Sequence, residues 1–193
     1  MHGFREVRFT RVSGVGGLER AGDWRIRGLA CRTEIAYEVE DEFGSFTEIV
    51  RRGAFRRTLA EDPVVSLLVA HGGLPLASTR SGTLRLSETD DGLEIDAALD
   101  ARNPLAQEVM SGIGRGDVAE MSFGFRVHDG GQSWDADYTE RDLTELNIHR
   151  GDVSIVDMGA NPHTEVSSLV PSDAKATLLK QQQQEEEAAA SVE

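Results

Sequence analysis

The sequence predicts a mainly β fold of the α+β class: a closed or nearly closed antiparallel β-barrel with flanking helices. Apolar and polar residues alternate over many short stretches, the period of a half-buried strand. Gly, Asp-Gly and Asn-Pro signals separate those stretches. Only two or three segments carry helix-forming patterns. Many short strands with few helices are the pattern of a sheet closed on itself.

The first strand runs from Glu6 to Val12, where Val7 and Phe9 alternate with Arg8 and Thr10 before Gly14, Gly16 and Gly17 break it. A second alternates Trp24, Ile26 and Gly28 with Arg25 and Arg27 and continues toward Ile35. The acidic stretch Glu38 to Glu42, closed by Phe43-Gly44, reads as an exposed loop. Ile49 to Leu59, containing Gly53-Ala54-Phe55, reads as a short helix that Pro63 ends. Val64 to Ala70 is nearly all apolar and predicts a strand buried on both faces, stopping at His71-Gly72-Gly73.

Thr83 to Leu86 and Leu93 to Leu99 flank Asp90-Asp91-Gly92 and predict a hairpin. Asn103-Pro104 starts a helix, because Asn caps free amides and Pro loses nothing at the first position. Leu105, Val109 and Ile113 share one face of that helix, and Gly112, Gly114 and Gly116 are expected to stop it. Met121 to Val127 is a strand with Met121, Phe123, Phe125 and Val127 on one face and Ser122, Gly124 and Arg126 on the other. Gly130 to Tyr138 is polar and reads as a loop. Leu143 to Ile148 and Val153 to Val156 read as two strands joined near Arg150-Gly151, with Asn161-Pro162 closing the second and a short element over Thr164 to Leu169.

The chain divides into one domain over residues 1–170 and an acidic, Gln/Glu/Ala-rich tail over residues 171–193. That tail has helix formers but no apolar face, and it could lead into a scaffold segment. The 193 residues carry a net charge of −14, which argues against a duplex-binding surface. Arg51-Arg52 and Arg56-Arg57 read as a solvated face rather than a nucleic-acid patch. Cys31 has no second cysteine to pair with, which suits a reducing compartment, and its context reads as a packed core thiol. No apolar run reaches a membrane span, and Met-His-Gly-Phe-Arg-Glu lacks the apolar core of a signal peptide, so a cytoplasmic protein is expected.

His2, His71, His128, His149 and His163 form no metal motif, and no phosphate loop opens a helix, so neither metal nor cofactor is expected. Ser122 faces away from the apolar side of its strand, and Gly124 leaves space beside it. A nucleophile needs such space, because a carbonyl must come within about 3–3.5 Å. His71 ends a rigid strand, and an imidazole has the pKa range that proton transfer at neutral pH requires. A third group should orient it; Asp152, Asp157, Glu145 and His149 all lie downstream, and spacing does not choose among them.

The segment Glu120-Met-Ser-Phe-Gly-Phe-Arg-Val127 resembles the nucleophile strand of the prohead maturation proteases of tailed bacteriophages, and the strand ending at His71 resembles that family's histidine segment. Phe43-Gly-Ser-Phe-Thr-Glu-Ile-Val-Arg-Arg-Gly-Ala-Phe55 and Asp152-Val-Ser-Ile-Val…Ala160-Asn-Pro162 resemble its upstream and downstream blocks, in the family order. The resemblance implies a herpesvirus-protease-like barrel of about seven strands. It implies a serine endopeptidase working through an acyl-enzyme, with Ser122 as nucleophile, His71 as base and Asp152 at the acid's motif position, ahead of Glu145 and His149. The implied substrates are scaffolding protein, or the scaffolding segment of the major capsid protein, and the protease itself, inside the immature procapsid in the host cytoplasm. Self-association into a homo-oligomer is compatible with this; nucleic-acid and membrane partners are not expected. The rival expectation is a catalytically silent capsid- or scaffold-associated barrel. Gly72-Gly73 after His71, Arg150-Gly151 before the acid and Gly159 depart from the family pattern, and Arg150-Gly151 reads as an insertion.

Overall fold

A computed structural model describes residues 6–10, 23–41, 44–157 and 166–169. In order, the elements are β1 (Glu6–Thr10), β2 (Asp23–Arg32), β3 (Ala36–Asp41), β4 (Gly44–Val50), α1 (Arg56–Ala60), β5 (Ser66–Val69), β6 (Gly72–Ser78), β7 (Leu84–Glu88), β8 (Gly92–Asp100), α2 (Pro104–Arg115), β9 (Glu120–Val127), β10 (Gln132–Trp134), β11 (Glu140–Leu143), β12 (Leu146–Val156) and β13 (Val166–Leu169). Asn161-Pro162 and the tail over 171–193 lie outside the described residues.

The strands form three sheets, ordered β1-β9-β12-β5-β6, β10-β11-β4-β3 and β13-β2-β8-β7. The mainly β, α+β class is as expected, but none of the three sheets is closed into a barrel. Nor is the pairing wholly antiparallel: β11 runs parallel to β4, and β12 parallel to β5. Period-two patterning specifies which face of a strand is buried, not which strand pairs with it. Strands far apart in sequence are free to pair in parallel, since long connections separate them.

The three sheets share one core, in which Ile26, Phe46, Leu67, Leu93, Phe123, Leu143 and Ile155 are all buried. Phe123 and Phe125, two residues apart on one face of β9, stack with ring centroids 5.0 Å apart. Phe55, just before α1, meets Phe123 edge-on at 5.6 Å. The Gly53-Ala54-Phe55 block therefore supports the strand that carries Ser122. Only α1 is helical in the Ile49 to Leu59 segment expected as a helix; its start belongs to β4.

Local sequence explains most elements. In α2 the Asn103 side chain accepts from Leu105 N at 3.1 Å, and Gly116 closes the helix in the left-handed region at φ 81. Gly112 and Gly114 lie inside the helix rather than ending it, and Gly112 allows close approach: a Cβ there would stand 3.0 Å from Val118 Cγ2. The β7–β8 hairpin forms around Asp90-Asp91-Gly92 as expected. The polar stretch Gly130 to Tyr138 contains the short strand β10.

The acidic stretch expected as a loop is largely strand β3. Tyr37 and Val39 point into the core while Glu38 and Glu40 point out, a period that the run of charges obscures. β3 is the edge of its sheet, where outward carboxylates oppose pairing with another chain. Beneath it Glu48 is fully buried, accepting from the Tyr37 hydroxyl and, at 3.0 Å, from Arg141. Both carboxylate oxygens are thereby matched, as a buried charge requires. β5 is buried on one face only: Val65 and Leu67 are inside, whereas Val64, Ser66 and Leu68 are half-buried.

Because Phe55 is fully buried against Phe123, Phe55→Ala should cost about 3–5 kcal/mol. Urea denaturation of the two proteins measures it; a loss below about 1 kcal/mol would mean that the ring contributes little to the core.

Candidate active site

The site is built on two neighbouring strands and one turn. β9 and β12 are antiparallel, with Asp152 opposite Gly124 and Ser154 opposite Ser122. Ser122, Gly124, Asp152 and Ser154 consequently share one face of the sheet. Gly124, opposite the acid, contributes no side chain to that face. β5, on the other side of β12, delivers His71 from the turn at its end.

The imidazole joins the other two groups. Its Nε2 is hydrogen-bonded to Ser122 Oγ, and its Nδ1 stands 2.6 Å from Asp152 Oδ2. Ser122 and Asp152 are buried at 0% and 1% exposure, while the His71 side chain keeps 21%. Ser122 was expected on an open face. It lies instead on a strand flanked by β1 and β12, with His71 against its hydroxyl.

The register that produces this face is irregular. Asn147 opposes Arg126, but the next pair is Asp152 with Gly124, so Ile148, His149, Arg150 and Gly151 face only Phe125. These residues form a special bulge, larger than the usual two residues against one. An unbroken ladder continuing from Asn147–Arg126 would set His149 opposite Gly124. The bulge sets Asp152 there instead. The two strands expected over Leu143–Ile148 and Val153–Val156 are thus divided differently: Leu143 ends β11, and one bulged strand spans Leu146–Val156. Arg150-Gly151, which reads as an insertion, is the far side of the bulge.

The bulge is anchored on both sides. Ile148 N donates to Thr58 Oγ1 at 3.2 Å, Arg150 N to Val64 O at 2.8 Å, and Val64 N to His149 Nδ1 at 3.2 Å. Gly151 passes so close to β9 that a Cβ would stand 2.3 Å from Gly124 O and 2.8 Å from Ile148 O.

The other candidates for the third group lie elsewhere. Glu145 accepts from Arg57 at 2.5 Å and stands 4.0 Å from His128 Nδ1. Hydrogen bonds from Arg57 to Glu145 and to Glu61 hold its guanidinium pKa above the ordinary value. His149 is exposed and serves Val64, and Asp157 is exposed past the end of β12. Cys31 is buried in the core, away from this chemistry. Arg51, Arg52 and Arg57 each pair with a carboxylate rather than forming an open basic patch. Among the described residues no group of His, Cys, Asp and Glu is placed to hold a metal, and no helix is long and apolar enough to cross a membrane.

Sequence reasoning overlooked Ser154, which donates to Asp152 Oδ2 at 2.7 Å and accepts from His71 N at 3.2 Å. The signal was present: Ser154 stands two residues after Asp152, so it shares that residue's face.

An acid, an imidazole and a serine hydroxyl linked in that order can move a proton off the hydroxyl as it attacks a carbonyl. The family model for the caudovirus prohead serine protease matches residues 26–180. The chain belongs to that family. It is a serine protease of the kind that acts in capsid maturation, on capsid-related protein inside the procapsid. No curated protein and no solved structure matches it. The matched stretch contains the whole Asp152–His71–Ser122 chain and both anchors of the bulge.

Gly151→Ala should disrupt the bulge, because its Cβ would meet carbonyl oxygens on both sides. The expected outcome is a stability loss of about 2 kcal/mol or more with a matching fall in peptide cleavage, read by thermal denaturation and a cleavage assay. An unchanged melting temperature would show that the bulge relaxes freely.

Proposed function

We propose that this prohead protease is an endopeptidase that works through an acyl-enzyme, with Ser122 as nucleophile, His71 as general base and Asp152 as the group that orients the imidazole. The observation that carries this reading is the continuous hydrogen-bonded chain from Asp152 Oδ2 through both ring nitrogens of His71 to Ser122 Oγ. Ser122 attacks the scissile carbonyl, and its proton passes to His71 Nε2. Asp152 holds Nδ1–H and stabilises the imidazolium that forms. Backbone amides bind the oxyanion, His71 returns the proton to the leaving amine, and water then releases the acyl group by the same route.

The proposed substrates are scaffolding protein, or the scaffolding segment of the capsid protein, and the protease itself. The proposed setting is the immature shell, where chains are crowded and self-association is favoured. A catalytically silent copy has no chemical reason to keep three side chains joined in this order.

Ser122→Ala should lower cleavage of purified scaffold protein by roughly 10⁵- to 10⁶-fold. It should change stability by no more than about 1 kcal/mol, since one hydrogen bond is lost. Mass spectrometry of substrate and enzyme, at high protein concentration, reads both substrate cleavage and self-shortening. Cleavage by the alanine variant at the wild-type rate would remove Ser122 from the mechanism.

His71 must be neutral to accept the proton. An ordinary imidazole has a pKa of about 6.5. Acidification protonates the base, so kcat/KM should fall as pH drops. A profile that stays flat from about pH 8 to about pH 5 would exclude His71 as the base.

A further inference from the structure

His71 occupies an unfavourable backbone position. Val69 pairs with Gly72, so Ala70 and His71 form a two-residue turn, with φ of 47 and 57 respectively. Positive φ at both central positions is the type I′ pattern, which favours Asn-Gly and disfavours residues with larger side chains. Such a turn persists only where surrounding structure holds it. Two hydrogen bonds from β12 do so: Ala70 N donates to Ile155 O at 3.0 Å, and His71 N to Ser154 Oγ at 3.2 Å.

The Ser154 hydroxyl has a second task. It donates to Asp152 Oδ2 at 2.7 Å, the same oxygen that faces His71 Nδ1 at 2.6 Å. Its donor and an acceptor site are thus both engaged, one on the carboxylate and one on the base's own backbone. Ser154 is fully buried, so bulk water does not compete for either bond. Main-chain pairing of β12 with β9 fixes where Ser154 stands, directly opposite Ser122.

We infer that Ser154 is a positioning residue for the reaction: its hydroxyl locks the Asp152 carboxylate and the His71 turn into one geometry. This rests on the assignment of Ser122, His71 and Asp152 argued above. Ser154 acts through the acid and the base, the two groups that it hydrogen-bonds. Its loss should affect the chemical step rather than substrate binding. Ser154→Ala removes one charge-assisted hydrogen bond from the carboxylate and the Ser154 hydrogen bond from the His71 amide.

The expected result for Ser154→Ala is a kcat lowered about 10- to 100-fold with KM within about twofold of wild type. The low-field proton resonance of His71 Nδ1–H should broaden or vanish in the same variant. Ser154→Thr keeps the hydroxyl on a strand backbone that favours β-branched residues, so where it folds it should restore most of the rate and the resonance. A kcat for Ser154→Ala within about twofold of wild type, or a lowered kcat with an unchanged resonance, would overturn the inference. So would a folded Ser154→Thr that stays as slow as Ser154→Ala. Should Ser154→Ala not fold, Ser154→Cys keeps the shape with a weaker donor and faces the same criteria. Ser122→Ala, run alongside, separates the two failures. If it is inactive while Ser154→Ala is normal, only the Ser154 role falls; if Ser122→Ala is active, the assignment beneath it falls.

Discussion

The register between β9 and β12 is the constraint on which the site depends. Four residues, Ile148 to Gly151, face Phe125 alone, and the ladder resumes three positions out of step. An odd shift changes which face each later residue occupies. It therefore turns Asp152 and Ser154 toward Ser122 and sends Val153 and Ile155 into the core, where both are fully buried. Without the shift the alternation along β12 would place apolar side chains where the chemistry sits. One local irregularity thus satisfies the core and the site together.

The same strand carries the second half of the arrangement. β12 is flanked by β9 on one side and β5 on the other, so it lies between the serine and the histidine. Antiparallel pairing brings Ser122 into line with Ser154, and parallel pairing brings the end of β5 alongside Ile155. Distances within a hydrogen-bonded sheet are nearly invariant, since neighbouring strands lie about 4.7–4.9 Å apart. Three side chains on three adjacent elements need little more than correct rotamers to meet. The Phe55–Phe123–Phe125 cluster holds the opposite face of β9, so apolar packing and the polar chain load the two sides of one strand.

Much of this is legible in the sequence. Alternation of Met121, Phe123 and Phe125 with Ser122 and Gly124 gives β9 its two faces, and Asn103-Pro104 and Asp91-Gly92 mark a helix start and a hairpin turn that both occur. His71 at the end of an apolar strand is also readable. The three open sheets, strand β3 and the residue that meets His71 Nδ1 are not readable to the same degree, and each for a physical reason. Sheet closure depends on which strands pair, and period two is blind to partners. In β3 the charges of Glu38 and Glu40 mask the alternation that Tyr37 and Val39 maintain. A bulge has no strong local signature, so His149 and Asp152 stay equivalent until the register is known. Arg150-Gly151 gave the one hint, since only a residue without a side chain tolerates Gly124 O at that distance.

The finished site is organised and buried. Asp152, His71, Ser122 and Ser154 stand in hydrogen-bonded contact, and both serines are fully buried. A buried polar group of this kind is stable only when its partners are in place, and here each hydroxyl has one. The linked groups are therefore already assembled in the fold. Exposure is graded along them: Asp152 and Ser122 are buried at 1% and 0%, while the His71 side chain keeps 21%. With water excluded, the Asp152 carboxylate holds the facing Nδ1–H more strongly than an exposed carboxylate would. The one partly exposed group of the three is thus the imidazole, fixed at Nδ1 by a dry partner.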